Sequence, residues 1–431
     1  MEAKTKTSII KVAEGSTRVP KLRFPEFRGA EGWGCVPMGE VYSFKANNSL
    51  SRDKLNYVAG SVKNIHYGDI HTKLSTHFDI TKELVPFINE SEESIVREEN
   101  LCAEGDMIFA DASEDMADIG KSIEIVSLNG ERVVSGLHTV LARRIGDSIA
   151  LGFGGHLFKS GWVRTQIQKE AQGAKVLGIS ANRMRNLRLP MPPTLAEQQK
   201  IAECLSSVDE LMAAQSRKVD ALKTHKKGLM QQLFPREGET QPRLRFPAFQ
   251  TAGEWEEKSV SQFAKVTTGA KDTQNKVEGG KYPFFVRSQA VERIDSYSYD
   301  GEAVLTSGDG VGVGKNFHHI NGKFDFHQRV YCIYEFAEGV SGLFFYLYFS
   351  EHFGERVMRM SAKNSVDSVR MAMITEMPVL LPTLPEQQRI ADCLSSLDAL
   401  ITAETQKLEA LKTHKKGLMQ QLFPSLEEVE T

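Results

Sequence analysis

Cysteine is scarce in this sequence. The five cysteines (Cys35, Cys102, Cys204, Cys332 and Cys393) are odd in number and form no CxxC pair. That excludes a closed disulfide framework, argues against a cysteine zinc site and suits a reducing cytoplasm. Long apolar runs are missing too: the longest, "LFFYLYF" at 343–349, is far shorter than the ~20 residues that cross a bilayer. The opening "MEAKTKTSIIKVAEGST" has no apolar signal core, so residues 1–19 read as a mobile leader. Neither charge sign dominates. With 53 basic against 56 acidic residues, the net charge of −3 gives no global attraction to nucleic acid or membrane, and any such partner has to be met by local patches. At 431 residues the chain is too long for one ordinary core, so two or three domains are expected.

Catalytic motifs are the next absence. "GDGVGVGKN" at 308–316 has the look of a phosphate loop, but Asp309 stands where a Walker A needs glycine and Asn316 where it needs Ser or Thr. A glycine-rich turn is the better reading. "GFGG" at 152–155 is similar to a methyltransferase cofactor motif, yet no NPPY-type tetrapeptide accompanies it; it reads as a turn before a helix. The chain holds no HExxH and no GxSxG. The acidic "ASEDMAD" at 112–118 reads as a solvated loop, and His318-His319 has no companion at metal-ligand spacing. No catalytic residue, metal ligand or cofactor is therefore expected on this chain, and it is not expected to be an enzyme by itself.

What the sequence does contain is a duplication. "ALKTHKKGLMQQLFP" occurs at 221–235 and again at 410–424, and residues 195–235 agree with 384–424 at 29 of 41 positions. A second repeat precedes each copy: "PKLRFPEF" at 20–27 answers "PRLRFPAF" at 242–249, and Trp33 answers Trp255. Two modules follow, each opening on LRFP and closing on the near-identical segment. Their middles diverge, although Gly120-Lys121 still matches Gly314-Lys315, Asn129-Gly130 matches Asn321-Gly322, and His138 matches His327.

The closing segments read as long helices. Each opens on Thr-x-x-Glu (Thr194 to Glu197, Thr383 to Glu386), a capping box in which the glutamate reaches back to the cap, and each is stopped by a proline, Pro235 or Pro424. Apolar residues step by four and three (Ile201, Leu205, Val208, Met212 in the first copy), a heptad-like seam broken by Gln215 and Lys226, then by Glu404 and Lys415. Matching stripes predict antiparallel packing of the two helices. The repeated positions His225, Lys226, Lys227 and Gln231, with His414, Lys415, Lys416 and Gln420, predict a face that serves two copies of one partner.

The variable middles read as β-rich. Short β-branched and aromatic runs are separated by turn signals, and the Asn-Gly pairs at 129 and 321 predict hairpins. Helices are expected near 158–170 and 342–360. The stretch 159–188 is locally basic and includes Arg183 and Arg185, a composition that suits phosphate contacts. Segments 62–73 and 285–293 mix Lys, Arg, Asn, Gln, His and Tyr, side chains able to read base edges.

Two divergent regions alternating with a repeated helix, opened by "PPTLAEQQKIAECL" and "LPTLPEQQRIADCL", resemble the specificity subunit of Type I restriction-modification enzymes, from Leu22 to Pro424. The resemblance implies an α+β, pseudo-twofold chain: recognition domains at 20–190 and 255–380, spacer helices at 191–235 and 381–424, a linker at 236–254 and a tail at 425–431. It implies that each domain reads one half of a split DNA target, the paired helices set the gap, and two modification subunits and restriction subunits dock. S-adenosylmethionine, ATP and Mg2+ would then belong to those partners. Carried over to this sequence, recognition falls to Lys63, Asn64, His66, Tyr67 and Lys121, then Arg287, Ser288, Gln289 and Lys315. The alternative is a duplicated protein-binding adaptor with no nucleic-acid role.

Overall fold

The computed structural model describes residues 18–236, 238–360 and 368–425; most of the leader (1–17) and of the tail (426–431) lies outside them. The chain mixes helix and sheet, and it divides into two compact units. One comprises Met1–Gln215 with Lys407–Thr431, the other Ser216–Gln406. Both divisions fall inside the two long helices, Leu195–Leu233 and Leu384–Leu422. Each unit thus holds the start of one helix and the end of the other. No helix among the described residues is long and apolar enough to cross a membrane.

In the first unit a five-stranded sheet runs in the order Tyr42–Lys45, Thr139–Arg144, Met107–Ala110, Ser122–Ser127, His77–Asp79. A four-stranded sheet runs Val133–Ser135, Lys63–Ile65, Phe87–Ile88, Leu55–Asn56. In the second unit a single six-stranded sheet runs Lys265–Thr268, Val330–Tyr334, Tyr299–Ser307, Phe317–Phe326, Tyr282–Phe285, Val291–Ile294. The sheets differ, but their frame repeats. Gly34–Pro37 pairs antiparallel with Arg188–Met191, and Glu256–Ser259 pairs in the same way with Pro378–Leu381.

The helix ends complete each core. Ile201, Ala202, Leu205, Leu422 and Phe423 join the first, around Trp33 and Phe153. Their counterparts Ile390, Ala391, Leu394, Leu233 and Phe234 join the second, around Trp255 and Phe344. The repeated "LMQQLFP" therefore closes each module by packing into the unit that carries the other module's variable domain. Phe423 meets Trp33 edge-on at 5.9 Å, and Phe234 meets Phe344 at 5.6 Å. Much of the string's sameness follows from two near-identical sockets.

The helices pack antiparallel, as expected, and three of the four polar breaks in the seam are ion-paired: Lys226, Lys415, and Glu404, which Lys218 holds. In the first unit Lys415 Nζ lies 2.5 and 2.6 Å from the Asp209 carboxylate oxygens. In the second, Lys226 Nζ lies 2.6 and 2.7 Å from those of Asp398. The residues of one pair stand 189 positions from their counterparts in the other. Two such locks specify one register, because sliding either helix by a turn leaves both lysines beside apolar neighbours.

Two local expectations are corrected. Thr194 Oγ1 does accept from the Glu197 amide, at 3.3 Å, but Glu197 does not turn back to the cap. Its carboxylate takes two hydrogen bonds from Arg23, both at 2.7 Å, and one from Trp33 Nε1 at 3.0 Å. Glu386 is held likewise by Arg245, at 2.7 Å twice. A bidentate guanidinium outcompetes a single cap amide. The arginine of each LRFP motif is thereby explained: it ties the module's first residues to its own helix. Asn321-Gly322 is also no hairpin turn. It lies inside Phe317–Phe326, opposite Gly301 and Glu302, in a ladder of eight paired residues with Tyr299–Ser307. Asn129-Gly130 does turn with positive φ at both residues (48° and 76°), but the strands on either side pair elsewhere.

Candidate nucleic-acid interface

The first group of recognition candidates starts on an inner strand of the four-stranded sheet. Lys63–Ile65 pairs parallel with Val133–Ser135 and leads directly into the short helix Tyr67–Thr72. The helix begins there because the His66 ring nitrogen Nδ1 accepts from the Gly68 amide at 3.2 Å, a side-chain cap. Tyr67 is surrounded by imidazoles, with ring centroids 4.7 Å from His66, 6.1 Å from His71 and 5.3 Å from His138. His138 itself sits at φ 54°, an unusual conformation for a side-chain-bearing residue, beside Asp111 at 3.3 Å. Lys121 arrives from the five-stranded sheet and donates to the His71 carbonyl at 2.8 Å. Tyr67 and Lys121, 54 positions apart, thus meet around His71.

Not every member of this group is at the surface. Asn64 is fully buried and donates to Asn48 Oδ1 at 3.0 Å, so its amide is a framework group unable to reach a base edge. His66 is also buried, and burial holds its pKa below the usual imidazole value. Lys63 is half-buried; its ammonium pairs with Glu131 and lies 5.1 Å over the Phe87 ring. Tyr67 and Lys121 are half-buried, the Lys121 side chain being 33% exposed.

The second group lies together at one end of the six-stranded sheet. Arg287, Ser288 and Gln289 are all exposed and follow Tyr282–Phe285 after the buried Val286. Arg287 Nη1 pairs with Asp309 Oδ1 at 3.0 Å, and Asn316 Nδ2 donates to the Arg287 carbonyl at 2.8 Å. Those two contacts fasten the 287–290 loop to the glycine-rich loop 308–316. The glycines are structural. A Cβ on Gly312 would meet Asn316 Nδ2 at 2.1 Å and the Arg287 carbonyl at 2.8 Å. Gly314, at φ 65°, presses against Gly354 Cα, which a Cβ would meet at 3.0 Å. Pinned this way, the loop presents exposed Lys315 and Val311, the latter 95% exposed. Arg329, which the sequence did not single out, joins Asp309 at 3.7 Å.

The basic stretch 159–188 is not one continuous face. Arg164 donates to the Ala117 and Ile119 carbonyls, Arg183 pairs with Glu170 at 3.1 Å, and the Arg185 guanidinium lies 5.4 Å over Phe44. Arg185 is exposed and Arg183 half-buried. Of the positions expected to face a partner, His225, Lys227 and Gln231 are exposed, as are His414, Lys416 and Gln420. Lys226 and Lys415 are the exceptions. They point into the seam and are held by aspartates, since a seam position faces the other helix and not the outside.

A family model for the Type I restriction modification DNA specificity domain matches residues 156–224 and 252–413, more than half of the chain. The chain is 28% identical over 158 residues to the Type I restriction enzyme EcoDI specificity subunit of Escherichia coli, covering 37% of this chain and 34% of that one. It is 25% identical over 300 residues to the MjaVIII specificity subunit of Methanocaldococcus jannaschii, covering 60% and 66%. It thus spans less than two thirds of the length of these two relatives. A putative MjaX specificity subunit of the same organism is 22% identical over 432 residues, covering 93% and 95%. In fold the chain is similar to the S subunit of a Type-I restriction-modification system from M. genitalium, with a TM-score of 0.62 at 13% identity over 95% of this chain and 100% of that one. A chain from a structure of complex assembly and conformational transition in the type I R-M system aligns with a TM-score of 0.53 at 17% identity, over 91% and 98%.

Proposed function

Because the chain belongs to the family of Type I restriction modification DNA specificity domains, we propose that it is the target-reading subunit of such a system and that it reads a split DNA site. One half-site is read by the first unit, through Tyr67, Lys121 and the loops around them. The other is read by the second, through Arg287, Ser288, Gln289 and Lys315. The paired helices set the gap, and their exposed repeated residues take two modification subunits. Adenine methylation with S-adenosylmethionine, and ATP- and Mg2+-dependent restriction, are the work of those partner subunits.

One observation carries this reading: a repeated frame supports two different variable surfaces. The Arg–Glu clamp, the framing strand pair and the lysine–aspartate lock recur in both units, while a five- plus four-stranded arrangement in one is replaced by six strands in the other. A conserved frame under divergent loops is what two readings of one polymer require.

Methylome sequencing of cells expressing this chain with a cognate modification subunit tests it. The expected result is a two-part methyladenine motif. Seven residues inserted in both helices, after Gln215 and after Glu404, should lengthen the gap and leave both halves unchanged. The insertion must be matched, because lengthening one helix alone breaks one of the two locks. A single undivided motif, or half-sites that change while the gap does not, overturns the proposal.

A further inference from the structure

Three residues from separate segments of the first unit meet beside the seam. His77 comes from His77–Asp79, His156 from the short helix Phe153–Leu157, and Asp209 from the first long helix. One ligand atom of each lies within 4.8 Å of the others. The two imidazole rings are edge-to-face, 4.5 Å apart.

The two histidines are held as metal ligands would be. His77 Nε2 donates to the Gly152 carbonyl at 2.8 Å, which leaves the lone pair on Nδ1, the usual outer-shell arrangement around a ligating histidine. His156 is fully buried; Nε2 lies 3.3 Å from Ser206 Oγ, and Nδ1 has no hydrogen-bond partner among the described residues. A buried nitrogen without a partner is uncommon and costly unless something occupies it. Burial lowers the pKa of both histidines, so they present neutral, ligating imidazole. The Asp209 side chain is 33% exposed, which opens a path from solvent. Ligands around a tetrahedral zinc stand about 3.4 Å from one another, so closing the cluster from 4.8 Å takes up to about 1.4 Å of side-chain movement.

Two cations oppose a metal. The Lys415 ammonium already sits on Asp209, and the Lys159 ammonium is close by, on Thr76 Oγ1. A metal must therefore displace Lys415. The second unit repeats the lock as Lys226 and Asp398, but the aromatic group interacting with Asp398 is Tyr346, not an imidazole.

We propose that His77, His156 and Asp209 form a site for a zinc-class divalent cation that competes with Lys415 for Asp209, so that binding exchanges one lock of the helix pair for coordination. Two nitrogens and one oxygen suit Zn2+ or Co2+ over Mg2+ or Ca2+. The site stands on this geometry and does not rest on the proposed DNA-reading role.

The test is titration of the full chain with Co2+, read by its visible ligand-field absorption, and with Zn2+, read by calorimetry. One equivalent is expected on the native chain. Asp209→Asn and His77→Gln should weaken binding by about tenfold or more. Lys415→Met should tighten it severalfold, and Asp398→Asn should leave it unchanged. Circular dichroism establishes that each variant is folded. If His77→Gln unfolds, Lys415→Met against Asp398→Asn still decides, since neither removes an imidazole. No binding to the native chain, or binding that ignores both Asp209→Asn and Lys415→Met, overturns the proposal.

Discussion

Replacing Arg23 by alanine should unfold the first unit far more readily than its place near the start of the chain suggests. The Arg23 and Glu197 side chains are 4% and 1% exposed. Arg23 gives Glu197 two hydrogen bonds of 2.7 Å and also donates to the Ala30 and Glu31 carbonyls, both at 2.9 Å. Removing it leaves a buried carboxylate whose one other side-chain donor among the described residues is Trp33. Breaking one side of such a pair costs about 3–5 kcal/mol, a factor of roughly 10² or more in the folding equilibrium. Replacing both charges, as in Arg23→Met with Glu197→Met, removes the uncompensated charge. That variant still leaves Trp33 Nε1 and two carbonyls without partners, so its cost should be about 1–3 kcal/mol, below that of Arg23→Ala alone. The assay is urea denaturation followed by tryptophan fluorescence in a Trp255→Phe background, where the remaining reporters, Trp33 and Trp162, both belong to the first unit. A loss below about 1 kcal/mol for Arg23→Ala, or a double variant worse than the single one, would refute the reasoning.

Two further outcomes are expected. Arg287→Ala should weaken DNA binding by the assembled complex by about 1–3 kcal/mol and relax one base of one half-site if Arg287 reads a base, or lower the salt slope by about one if it holds a phosphate; binding that keeps affinity, salt slope and specificity removes Arg287 from the interface. Glu302 is held below its ordinary pKa by His319, 2.8 Å away, and then by the backbone amides of Gly342 and Leu343 at the start of Gly342–Met360. A lowered carboxyl contributes stability above about 4.5 and loses it as pH falls through the folded value, so Glu302→Gln should flatten the acid limb of the second unit's denaturation profile. An unchanged limb would show that the contact contributes nothing.

Much of the frame was legible in the linear pattern. The duplication, the α+β character, the two long helices and the helix Gly342–Met360 come from repeats, four-and-three apolar stepping and capping residues, all of which act within a few positions of one another. The candidate loops of the second unit were legible as composition: Arg287, Ser288, Gln289 and Lys315 do come together, although Arg329 had no signal to mark it. Asn64 was misread because its polar type says nothing about which sheet covers it.

By itself, then, the sequence determined periodicity and duplication, because hydrophobic spacing and caps are local properties of a chain. Only the tertiary structure decided where the charged groups went. Glu197 left its cap for an arginine 174 positions away, Lys226 and Lys415 entered the seam, Asn321 gave up its turn to an eight-pair ladder, and His77, His156 and Asp209 met at one point. For Glu197 and the two lysines, a charged group took the strongest partner that folding brought within reach, and that partner is set by three-dimensional packing, not by neighbours in the chain.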